Sequence, residues 1–140
     1  MNLRETVLLS ALFVLACVAA AQNQPLPKVP PNIEAGKQTY MEHCATCHGM
    51  DGRGDGPVAP VLKSPSPDLR TLALRHGGKF PEDYVTNVVR FGVPISAHGA
   101  SDMPVWGPIF GVLENGNELA VRRRIKELCD YLATIQDKES

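Results

Sequence analysis

Apolar residues recur at helical spacing in three stretches of the chain, and turn-forming residues fill the intervals between them. The first runs over 33–47, where Ile33, Gly36 or Lys37, Tyr40, Met41 and Cys44 fall near i, i+3, i+4, i+7 and i+8. Asn32 is placed to cap it, with Glu34 in the first turn. Gly36 and Tyr40 share one face, and a glycine four residues before an aromatic lets another helix come close there. The second stretch is 81–90. Pro81 suits a first turn, Glu82 and Asp83 favour the positive helix end, and Tyr84, Val88 and Phe91 fall on one side. The third is the last helix, with Asn115 and Glu118 as a capping box and an apolar stripe of Val121, Ile125, Leu128, Cys129, Leu132 and Ile135. That stripe reads as core packed on the first helix. No stretch alternates as a strand does, so the pattern predicts an all-α domain.

Composition changes this picture in two places. Glycine and proline are frequent, at 12 each in 140 residues, so the helices are joined by long turn-rich connections. The net charge of −1 gives no basic footprint for nucleic acid. Arg122, Arg123 and Arg124 read as a solvated helix face.

The N-terminus carries a separate signal. Arg4 precedes an apolar run from Val7 to Ala21, about a signal-peptide core in length and short for a membrane span. Ala19, Ala20 and Ala21 supply small residues for cleavage, so 1–21 reads as an export signal. A rival reading makes Val14-Leu15-Ala16-Cys17 a lipobox, with Cys17 lipidated and the domain tethered to a membrane; an uncleaved anchor is a third. All three put the domain outside the cytoplasm, in the periplasm or on the outer face of the cell membrane. Residues 22–32, with four prolines, read as an extended linker, and 33–140 as the domain.

The chemistry is concentrated in Cys44-Ala45-Thr46-Cys47-His48. This CxxCH string is the signature of covalent haem c attachment. On a helix, i, i+3 and i+4 share a face, so two thiols reach the two vinyl groups of one porphyrin while the histidine offers a nitrogen to the iron. The alternatives explain less. A Cys44–Cys47 disulfide leaves His48 without a role, a zinc site needs further ligands, and a thioredoxin-like CxxC needs a βαβ context. Cys129 reads as a buried apolar residue. The glycine-rich run from Gly49 to Pro57 lacks the flanking strand and GK[ST] of a phosphate loop, and its acids lack EF-hand spacing. It reads as a loop folding over one face of the haem.

An iron held by His48 has a sixth position to fill. His43, Met41 and Met50 lie too near the attachment site to reach the opposite face, and His76 before Gly77-Gly78 reads as an exposed loop residue. Met103 in Asp102-Met103-Pro104-Val105-Trp106 is the strongest candidate, because Pro104 biases it towards an extended backbone that can present the thioether. It reads equally well as a gap-filling core residue. His98 is the rival ligand. Trp106 has one N–H to offer a haem propionate.

Taken in order, the CxxCH string, the Gly36/Tyr40 helix, Gly56-Pro57 and Met103-Pro104 resemble the class I cytochromes c, over about residues 33–135. The resemblance implies three to five helices around one covalent haem, with the N- and C-terminal helices crossing. It makes His48 the proximal and Met103 the distal ligand, and gives the Pro57 carbonyl (with Pro60 as a rival) the hydrogen bond from His48. It also implies a monomeric electron carrier rather than an enzyme, serving a dehydrogenase, an oxidase or a respiratory complex. The competing function is a haem-based gas sensor or haem enzyme whose sixth position is open or filled by His98.

Overall fold

The computed structural model describes residues 30–92 and 102–138. The expected leader, Cys17, most of the linker and His98 lie outside the described residues. The described helices are α1 (Ile33–His43), α2 (Ala45–His48), α3 (Leu72–Arg75), α4 (Glu82–Phe91), α5 (Trp106–Leu113) and α6 (Glu118–Thr134), with 3₁₀ turns at Ala59–Val61 and Leu69–Thr71. Among the described residues there is no strand, as the periodicity predicts. Four helices exceed two turns; α2 and α3 are single turns.

The first and last helices pack on each other because the sequence removes a side chain where they meet. A Cβ on Gly36 would lie 1.9 Å from the Glu127 carbonyl oxygen, so only glycine lets the two backbones approach this closely. One turn on, the Tyr40 and Tyr131 rings pack with centroids 5.4 Å apart. The predicted stripe is the core: Val121, Ile125, Leu128, Cys129 and Leu132 are all buried, joined by Tyr40, Tyr131 and Phe110.

Three sequence expectations are corrected here. The first helix does not run unbroken to Cys47; it ends at His43, and Cys44 starts the separate turn α2. The cap of α6 is Asn117, whose side chain accepts the Ala120 N–H, and not Asn115. Asn115 is spent on ending α5: it takes φ 53°, and Gly116 N–H then bonds back to Gly111 O at 2.8 Å. In α4 the buried face is Val85 and Val89, one residue round from the face expected. Phe91 is exposed, with the Arg90 guanidinium 5.2 Å from its ring centroid.

The basic run is not uniformly solvated either. Arg124 reaches inward, donating to Glu114 at 2.8 Å through Nε and to buried Thr39 at 3.4 Å, while its guanidinium lies over the Phe110 ring.

The C-terminal end is tied down by Asp68 and Arg70. Asp68 accepts from the Arg70 backbone N–H and side chain, and Arg70 also pairs with Asp137 at 3.6 Å. The Arg70 hydrogen bond holds the Asp68 carboxyl below the usual aspartate range. A carboxylate with a lowered folded pKa stabilises above its unfolded value, and that contribution is lost as pH falls through the folded one. Asp68→Asn is therefore expected to flatten the acid limb of a stability-against-pH curve below about pH 4. Thermal melts of both proteins across that range check it.

Candidate functional site

A cavity of about 550 Å³ lies between α1–α2, the 62–69 segment, α3–α4, the 102–106 segment and α6. That is within the ordinary range for a cofactor site. Leu62, Leu69, Leu72, Val85, Val88, Val89, Leu128 and Leu132 make most of its wall apolar. Cys44, Cys47 and His48 line it together, and Met103 and Trp106 line it too. Folding thus gathers into one cavity residues more than fifty positions apart in the chain.

The attachment turn is held from three sides. From α1, the buried Tyr40 hydroxyl donates to Gly49 O at 2.6 Å, and its burial raises its pKa. Behind α2, the glycine-rich loop folds back: Gly54 N–H bonds His48 O at 2.8 Å, Gly56 N–H bonds Cys47 O at 3.2 Å and Val58 N–H bonds Thr46 O at 3.1 Å. A Cβ on Gly56 would sit 2.3 Å from Thr46 O, so the loop lies directly on the backbone of the turn. From the cavity side, His48 Nδ1 faces Pro67 O at 3.2 Å.

That last contact corrects the expectation for Pro57. Pro57 is exposed in a turn and Pro60 is exposed in the 3₁₀ turn Ala59–Val61. The Gly54, Gly56 and Val58 amides are spent on covering the α2 backbone, and the chain meets the imidazole when it comes back at Pro67. For the same reason the 49–57 loop covers α2 rather than the cavity; the wall there is built by 62–69. Nothing local in the sequence marks Pro67 as the residue whose carbonyl returns to His48.

The electrostatics suit a ligand-binding imidazole. Burial lowers the His48 pKa, which favours the neutral ring that a metal requires, and the Pro67 carbonyl opposes this by favouring the N–H on Nδ1. Burial, followed by neighbouring Cys47, pushes the Cys44 thiol up to about 12. Cys44, Cys47 and Cys129 are all free of disulfides. Among the described residues no group of three His, Cys, Asp or Glu side chains could hold a metal ion on its own.

A family model for cytochrome c matches residues 33–110, from the start of α1 through the CxxCH turn to buried Phe110. The chain belongs to the cytochrome c family. Its all-α fold and the covalent haem c implied by Cys44 and Cys47 follow from that membership. The chain is also similar to the quinohemoprotein alcohol dehydrogenase ADH IIB of Pseudomonas putida, with 40% identity over 47 residues. That match spans 34% of this cytochrome and 7% of the relative, so the chain covers only a small part of the relative's length. No solved structure matches with significance.

The other sequence candidates fall into place around the cytochrome's cavity. Met103 is partly buried against the core. Trp106 stacks on Phe110 with ring centroids 5.7 Å apart and meets the tilted His43 ring at 5.0 Å, which ties the start of α5 to α1. His76 is exposed as expected, yet its edge reaches the cavity beside Tyr84, with ring centroids 5.2 Å apart. Arg75, which no pattern in the sequence marks, also lines the cavity. It is the one permanent cation among the lining residues, and it also donates to the Asp68 carbonyl at 2.9 Å.

Proposed function

We propose that the protein is an exported one-electron carrier with a single haem c, ligated by His48 and Met103. The observation that carries this reading is the cavity itself: the CxxCH residues and the distant Met103 line one apolar space of cofactor size. Bound there, haem supplies an iron that cycles between ferric and ferrous states. Cys44 and Cys47 would anchor it, and His48 would give one axial nitrogen with its ring oriented by Pro67 O. Met103 would give the second bond, a thioether that raises the reduction potential. The leucine and valine walls exclude water and push the same way. Arg75 offers a cation to the haem carboxylates, a role that Trp106 N–H can share. Two firm axial ligands favour electron transfer over chemistry on a bound substrate.

The electron partner is proposed to be a dehydrogenase or a respiratory complex. The dehydrogenase among its relatives supports that direction. Export follows from residues 1–21, with cleavage after Ala21; mass spectrometry of the mature N-terminus distinguishes this from lipidation at Cys17.

Absorption spectra test the ligands. The wild type is expected to be low-spin, with the far-red methionine–ferric charge-transfer band. Met103→Ala should lose that band, bind carbon monoxide rapidly when reduced, and lower the potential by on the order of 0.1 V or more. Survival of the band in Met103→Ala overturns Met103 as ligand. Rapid carbon monoxide binding by the wild type would favour the open-site sensor instead.

A further inference from the structure

Met103 is partly buried against the core, just before the start of α5. Pro104 has no N–H to donate, and Val105 gives α5 no side-chain cap. Asp102, the neighbour of Met103, ties the 102–106 segment to the 62–69 wall. One carboxylate oxygen of Asp102 accepts the backbone N–H of Lys63 at 2.8 Å and of Ser64 at 3.2 Å. A carboxylate accepting amide hydrogen bonds is stronger than a neutral acceptor.

The strand of chain it grips is the one that orients His48. Residues 63–67 begin at the two amides held by Asp102 and end at the Pro67 carbonyl facing His48 Nδ1. Ser64, Pro65, Ser66 and Pro67 line the cavity between those points. Pro65 and Pro67 fix φ and stiffen the segment, so it acts as a short strap from the proximal histidine to the distal loop.

We propose that Asp102 is a positioning residue that holds the Met103 segment in place over the cavity by clasping the Lys63 and Ser64 amides. The proposal rests on the reading of Met103 as the distal ligand. Without the clasp, Met103 leaves iron more often, and the electron carrier gains an open sixth position.

The test compares holoprotein of wild type, Asp102→Ala and Asp102→Asn. The readouts are carbon monoxide binding to the reduced form, loss of the far-red band with rising guanidinium, and amide exchange at Lys63 and Ser64. Asp102→Ala should bind carbon monoxide on the order of tenfold faster, the factor that loss of a charge-assisted hydrogen bond brings. It should also lose the band before global unfolding and expose both amides to exchange. Asp102→Asn keeps an acceptor without the charge and should fall between the two. If Asp102→Ala yields no holoprotein, the Asn variant carries the test, with a several-fold faster reaction expected. A wild type with the band, and variants whose carbon monoxide rate and band loss match it, overturns the clasp and leaves Met103 standing. A wild type without the band overturns the Met103 reading, and the clasp with it.

Discussion

Replacing Cys44 and Cys47 together by serine is expected to give a chain that retains no haem in denaturant. Mass spectrometry under denaturing conditions reads this directly: the wild-type polypeptide should carry the added mass of one haem, and the double variant none. A wild type that lacks haem mass and is lighter by two hydrogens would identify a Cys44–Cys47 disulfide instead. The effect should extend to the fold. The cavity of about 550 Å³ is walled by leucine and valine side chains from four helical segments, and an emptied apolar space forfeits packing on every wall. The double variant is therefore expected to show reduced helicity and a broad, early thermal transition by circular dichroism. Each single serine variant should keep one thioether and most of its structure.

The second large effect concerns Gly36. Alanine ordinarily favours a helix over glycine by about 1 kcal/mol, so Gly36→Ala would stabilise an isolated α1. Here the sign reverses, because the new methyl would lie 1.9 Å from Glu127 O and also meet the Tyr131 Cβ at 3.0 Å. The contact is with backbone of α6, which cannot rotate away as a side chain can. Gly36→Val should destabilise the holoprotein by on the order of 3 kcal/mol or more, and Gly36→Ala by somewhat less. Gly111 in α5 is the control: a Cβ there meets nothing within 4 Å, so Gly111→Ala should stabilise by about 0.5–1 kcal/mol. Guanidinium denaturation of the three variants beside wild type checks both signs. Equal behaviour at the two glycines would show that the α1–α6 contact is looser than the structure has it.

The Asp102 clasp connects these effects to function. Cys44, Cys47 and His48 come from one turn and need only local geometry to converge. On the proposed ligation Met103 would be brought from elsewhere and held, and a ligand held by a loop is retained only as firmly as the loop. The proposed clasp on the Lys63 and Ser64 amides would then bear on whether the sixth position is closed or open to small ligands.

Residues that act through their neighbours in the chain were legible before folding. CxxCH carries its chemistry in its spacing, because i, i+3 and i+4 are one helix face whatever surrounds them. The amphipathic stripe from Val121 to Leu132 and the small–aromatic pair Gly36/Tyr40 likewise named the core and the partner of α1, since burial demands apolar periodicity and close approach demands a missing side chain. Tertiary structure decided whatever depends on which backbone returns to a given place. Pro67 rather than Pro57 faces His48 because the intervening amides are consumed in covering α2. Asn117 rather than Asn115 caps α6 because Asn115 is used in a left-handed turn that ends α5. The clasp of Asp102 on Lys63 and Ser64, and the arrival of Arg75 at the cavity edge, join positions tens of residues apart through main-chain groups or side-chain reach. Backbone N–H and C=O groups are the same at every residue, so no letter of the sequence marks which of them will meet.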